Sequence, residues 1–250
     1  MDNTLKLSFL AIAMVALTAC NQQAKTDTPV ETTQTETMAE PLVQKVLTKE
    51  ERDALSPDDV ITSLKEGNKR FQNNNLTLRD HSAQVRKTTM GQFPKAIVLS
   101  CVDSRVPVED VFDRGIGDLF VARVAGNFAN EDILGSMEFA CKVSGSKLIL
   151  VMGHEHCGAV KAAVDDVKLG NITPMLANIR PAVTSIVYDG DRTSSNQEFV
   201  AMACESNIVN TVNNIRLNSP ILKDMEDKGE IKIVGAVYDM DAGVVSWLNQ

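Results

Sequence analysis

The stretch AIVLSCVDSRVP, residues 96–107, changes character halfway along. Ala96–Leu99 is continuously apolar, the pattern of a strand buried on both faces. A thiol, a carboxylate and a guanidinium then follow at alternate positions, Cys101, Asp103 and Arg105. Strands of this kind belong to parallel sheets covered by helices on both sides. In such sheets ligands collect beyond the carboxyl ends of the strands, where these three side chains stand.

Working outward, further buried-strand patterns occur at 119–124 (LFVARV), 147–152 (KLILVM) and 231–237 (IKIVGAV). A terminal run, GVVSWL at 243–248, reads as an edge strand. Helical periodicity fills the intervals. Ser56 as N-cap, Pro57 at N1 and Asp58 and Asp59 in the first turn open a helix to Gln72, with Val60, Ile61, Leu64 and Phe71 mostly on one face. A short helix is expected over Ser82–Met90, another from the Asn130 cap to a stop at Gly145, a third over 158–170, and a long one over 195–218. The pattern predicts an α/β fold: a single three-layer domain at 45–250 with a mostly parallel central β-sheet flanked by helices.

With 44% hydrophobic and 23% charged residues, the chain has the composition of a globular protein. A net charge of −8 and the absence of any Lys/Arg block give no footprint for a nucleic-acid partner. The first residues read differently. Lys6 precedes an apolar run, Leu7–Leu17, too short for a bilayer span of about 20 residues but suited to a signal-peptide core. The run closes on LTAC, which resembles a bacterial lipobox. Residues 1–19 are therefore expected to be a lipoprotein signal peptide, with Cys20 lipidated as the mature N-terminus. Residues 20–44, rich in Thr and poor in large apolar side chains, read as a disordered tether. The expected location is a lipid anchor in a bacterial envelope with the domain in the periplasm, and Asn21 favours the outer membrane by resemblance to Gram-negative lipoproteins. Membrane contact is expected only through that N-terminal lipid.

A second reactive segment, GHEHCGAV at 153–160, leaves the strand at 147–152. If the two strands are neighbours, Cys101, His154 and Cys157 meet as two thiolates and one imidazole, a donor set for zinc with a fourth position open. Gly153 and Gly158 allow a tight approach there. Taken singly, Cys101 reads as a small buried hydrophobe and Asp103–Arg105 as a weak surface ion pair. The conjunction of the two segments carries the metal reading. His156 is expected to point away from His154, His81 to be solvated, and Cys141 and Cys204 to be core thiols, a disulfide between them being the alternative.

SCVDSRVPVEDVFDRGIGDLFVARVAGN together with GHEHCGAV resembles the β-class carbonic anhydrases, over about residues 55–240. The resemblance implies a zinc-dependent α/β fold built as a homodimer or a multiple of dimers, acting on CO2 and bicarbonate. One Zn2+ per chain is implied, with Cys101, His154 and Cys157 as ligands, Asp103 and Arg105 as catalytic dyad and Gly158 at the substrate-binding position. Asp103 is implied as a fourth ligand when its arginine lets go. Val98 stands where cooperative bacterial members carry Trp, and Val124 where many members carry Asn.

Two thiolates cancel the charge of the ion, so a zinc-bound hydroxide at this site needs help that neutral imidazole ligands would not require. Asp103 would orient it towards CO2, and Arg105 would keep Asp103 ionised and in place. The alternatives are hydrolysis of CS2 or COS on the same fold, a non-catalytic zinc-binding envelope module, and a thiol redox role for Cys101 and Cys157.

Overall fold

The computed structural model describes residues 43–248. The expectations for the signal peptide, for Cys20 and for the tether up to residue 42 lie outside the described residues. The apolar runs become strands β1 (Ala96–Ser100), β2 (Leu119–Arg123), β3 (Leu148–His154) and β4 (Lys232–Tyr238), with β5 (Val245–Trp247) after them. They form one sheet in the order β2-β1-β3-β4-β5. The first four strands are mutually parallel, and β5 pairs antiparallel with β4 at the edge.

Alternation along the buried strands sends side chains into two cores. Ile97, Leu99, Ile149 and Val151 enter one; Ala96, Val98, Leu148 and Leu150 enter the other. Helices close both faces. In chain order they are α1 (Lys49–Asp53), α2 (Pro57–Gln72), α3 (His81–Thr88), α4 (Val108–Val111), α5 (Glu131–Glu138), α6 (Gly158–Val164), α7 (Ile172–Leu176), α8 (Arg180–Thr184), α9 (Gln197–Asn218) and α10 (Pro220–Asp227). Val60 and Leu64 of α2 cover one face, and Ile208, Val212 and Ile215 of α9 cover the other. This is the three-layer α/β arrangement the strand pattern predicts.

Caps set the helix starts as local chemistry requires. Ser56 accepts from the Asp59 N–H, and the Asp59 carboxylate accepts from the Ser56 N–H, so α2 begins in a capping box with Pro57 at N1. Asn130 caps α5 through the Ile133 N–H. Two helices differ from expectation. The helix from Asn130 passes into a single π-helical turn at Phe139–Val143 before Gly145 ends it at φ +79°. The expected helix over 158–170 stops at Val164: Asp166 turns left-handed at φ +51°, and the Asp165 carboxylate accepts hydrogen bonds from the N–H and hydroxyl of Ser194.

A third apolar cluster lies beyond the carboxyl ends of the strands. Phe128, Val160, Leu176, Ile179 and Phe199 enclose Cys101 and Cys157 there.

Candidate metal centre

β1 and β3 are hydrogen-bonded neighbours in register, Ser100 opposite Met152. Cys101, one residue past β1, therefore emerges beside the carboxyl end of β3, which terminates at His154. The chain then turns sharply. His156 takes a left-handed conformation at φ +54°, uncommon outside glycine, and this turn delivers Cys157 to the N-cap of α6. Cys101, His154 and Cys157 are all buried, and their ligand atoms lie within 4.8 Å of one another. His156 is outside this set, as expected. It groups instead with Glu155 and Asp241, which are half-exposed or exposed.

The three residues fit a zinc ion. The two sulfurs stand 3.9 Å apart, and two thiolates on one tetrahedral zinc, each at about 2.3 Å, would stand about 3.8 Å apart. His154 Nδ1 lies 2.7 Å from the Glu155 carbonyl oxygen, which can only accept. Nδ1 therefore carries the hydrogen, and Nε2 presents its lone pair. That Nε2 is buried with no hydrogen-bond partner, an orphan that a metal would satisfy.

Electrostatics separate the two thiols. The contact between the two sulfurs, with the Gly126 N–H at 3.3 Å, lowers the Cys101 thiol despite its burial. The same contact, with burial added, pushes Cys157 up. Cys141 and Cys204 are free and buried, both raised by desolvation, as core thiols should be.

Asp103 lies beside this group in the grip of Arg105. Arg105 donates from Nε to Oδ1 at 2.9 Å, from Nη2 to Oδ2 at 2.7 Å, and from its backbone N–H to Oδ1 at 3.0 Å. The guanidinium holds the carboxyl far below the usual carboxylate range. Oδ2 remains 3.8 Å from His154 Nε2, so the carboxylate faces the site while bonded to arginine. Arg123, at the end of β2, braces the whole turn. It donates to the carbonyls of Cys101 (2.9 Å), Asp103 (2.9 Å) and Val106 (2.7 Å). Arg123 stands inside the apolar run 119–124, whose pattern gives no sign of this role. Gly158 opens α6 next to Cys157, exposed and with open space where a Cβ would stand. His81 is exposed at the start of α3.

A mostly parallel sheet that gathers two sulfurs and one imidazole at its carboxyl edge, beside an arginine-bound aspartate, defines an α/β metal-binding protein. Comparison with known proteins is more specific. Residues 96–245 match the family model described as "Carbonic anhydrase". Carbonic anhydrase 2 of Mycobacterium tuberculosis is 36% identical over 191 residues, covering 72% of this chain and 87% of that protein. A carbonic anhydrase of Mycolicibacterium smegmatis is 34% identical over 73% of this chain and 89% of its own length. Among solved structures, the Coccomyxa β-carbonic anhydrase in complex with acetazolamide superposes with a TM-score of 0.61 at 26% identity, covering 68% of this chain and 78% of that one. The β-carbonic anhydrase CcaA also gives 0.61, at 25% identity over 76% and 95%. The chain belongs to the carbonic anhydrase family, in its β class.

Proposed function

We propose that the chain is a zinc-dependent carbonic anhydrase that interconverts CO2 and bicarbonate. The single observation that carries this reading is the ion-paired Asp103 facing the unpartnered His154 Nε2. Cys101, Cys157 and His154 Nε2 would hold one zinc per chain. When bound, the ion would supply Lewis acidity that brings the ionisation of water towards neutral pH.

The chain's own residues do the rest. Asp103, kept ionised by Arg105, accepts a hydrogen bond from the reacting water and turns its lone pair towards CO2. Its lowered pKa means that it cannot retain the proton at neutral pH, so it orients the water, and the proton passes on to solvent. Arg105 also keeps the carboxylate from moving onto the metal. Gly158 leaves open space beside Cys157 for substrate.

The proposed assembly is a homodimer or a multiple of dimers. In support, β2 is an edge strand with Phe120 only half-buried, packed edge-to-face against an exposed Phe139 at 6.2 Å. Stopped-flow CO2 hydration, run with metal analysis on the same preparation, tests the function. Zinc near one per chain with no hydration above the buffer rate would refute catalysis and leave a zinc-binding module. Turnover of CS2 or COS in place of CO2 would reassign the substrate.

A further inference from the structure

The His154 segment and the Gly126 turn that touches Cys101 are both braced from one face of α9. Cys204, Asn207, Ile208 and Thr211 recur at helical spacing and are buried. Cys204 Sγ donates to the His154 carbonyl at 3.3 Å. Asn207 Nδ2 donates to the Gly126 carbonyl at 2.8 Å. The N–H of that same Gly126 points at Cys101 Sγ, 3.3 Å away.

The backbone is tight at both points. Gly126 is left-handed at φ +83°, and a Cβ there would collide with the Ile179 side chain. At Gly153, next to His154, a Cβ would meet Ile208 Cδ1 at 2.7 Å and Cys204 Sγ at 3.2 Å. α9 therefore lies directly on the chain that carries His154. Asn207 is also costly as a mere core residue. Its Oδ1 is buried without a partner, and its one side-chain hydrogen bond among the described residues is the one to Gly126. An apolar side chain would suit packing alone better.

We propose that Asn207 and Cys204 are positioning residues for the metal. Asn207 fixes the Gly126 peptide so that its N–H bears on the Cys101 sulfur, and Cys204 fixes the backbone from which the His154 ring extends. The inference rests on the zinc reading above. A hydrogen bond on a metal-bound sulfur draws electron density from it, and the groups around a metal's ligands set both its affinity and its electronics.

The test uses the full chain loaded with Zn2+ and, separately, with Co2+ as a spectroscopic probe. Zinc affinity is measured by chelator competition. Asn207→Leu should weaken zinc binding about 10–100-fold and move the sulfur-to-cobalt charge-transfer band to longer wavelength, because the unbonded sulfur is the better donor. Should Asn207→Leu fail to fold, Asn207→Ala also removes the donor and gives the same two readouts. Cys204→Val should weaken zinc binding without moving the band, since it acts through His154, and Cys204→Ser, which retains a donor, should restore affinity. Thr211→Val, equally buried one turn further along α9 and bonded to neither segment, should change neither readout. Unaltered affinity and an unmoved band in the Asn207 and Cys204 variants overturn the proposal, as does an equal loss in Thr211→Val. Failure of the unchanged protein to take up zinc overturns it together with the reading on which it rests.

Discussion

Arg105 holds both oxygens of Asp103 by parallel hydrogen bonds of 2.9 and 2.7 Å, and the carboxylate so held faces the buried imidazole of His154. The pair is therefore a device for aiming a carboxylate, and its consequences can be separated from those of ionisation.

Arg105→Ala removes the main cause of the lowered Asp103 pKa. The carboxyl should then rise towards its ordinary value of about 3.9, which still leaves it ionised above pH 6. CO2 hydration should fall about 100-fold, by the same factor at every pH from 6 to 9, with zinc content unchanged. A deficit that closes at high pH would show that Arg105 acts only by keeping Asp103 charged.

In the unchanged protein, Asp103 does not titrate between pH 6 and 9, so pH dependence in that window belongs to the reacting water. Hydration should rise with pH across it. A flat profile measured by stopped flow would contradict the proposed chemistry.

Zinc retention should depend on the three gathered groups and not on a buried thiol remote from them. Cys157→Ala and His154→Ala should each bring bound zinc, measured by atomic absorption after dialysis, from about one per chain towards none. Cys141→Ala, a thiol in the sheet core, should leave it unchanged.

Asp113 anchors the N-terminal segment to the domain. Its fully buried carboxylate accepts from Arg70 Nε at 2.6 Å, Arg79 Nη2 at 2.6 Å, and the N–H and hydroxyl of Thr77. Burial alone would raise its pKa, but these donors outweigh it and the net shift is downward. Because the folded value lies below the unfolded one, the stabilisation is complete at neutral pH and is lost as pH falls through the folded value. Asp113→Asn should cost about 3 kcal/mol by urea unfolding at pH 7, and the gap from the unchanged protein should narrow below about pH 4.

The proposed anchor is tested on cells. Full-length protein expressed in a Gram-negative host should incorporate labelled fatty acid and sediment with membranes. Cys20→Ala should abolish the label and release the domain into the soluble fraction. Labelling that survives the substitution would refute Cys20 as the modified residue.

Much of this molecule is determined locally. Ala96–Ser100 is a strand because an unbroken apolar run can be buried on two faces. Ser56, Pro57 and Asn130 start helices because their side chains and backbone angles complete a first turn without help from elsewhere. The donor types at Cys101, His154 and Cys157, and the Asp103–Arg105 pair, are likewise legible in two short segments. Where α6 stops is not, since the Asp165 carboxylate at its end is held by Ser194, 29 residues away. Tertiary structure alone decided that β1 and β3 lie side by side, which brings two sulfurs from positions 56 residues apart to 3.9 Å. It alone decided that Arg123 and α9 hold the backbone around them, Asn207 reaching Gly126 across 81 positions. Helical period shows which face of α9 is buried, but a hydrogen bond depends on distance and direction in space. Chain order carries neither until the sheet has set its strand order and register.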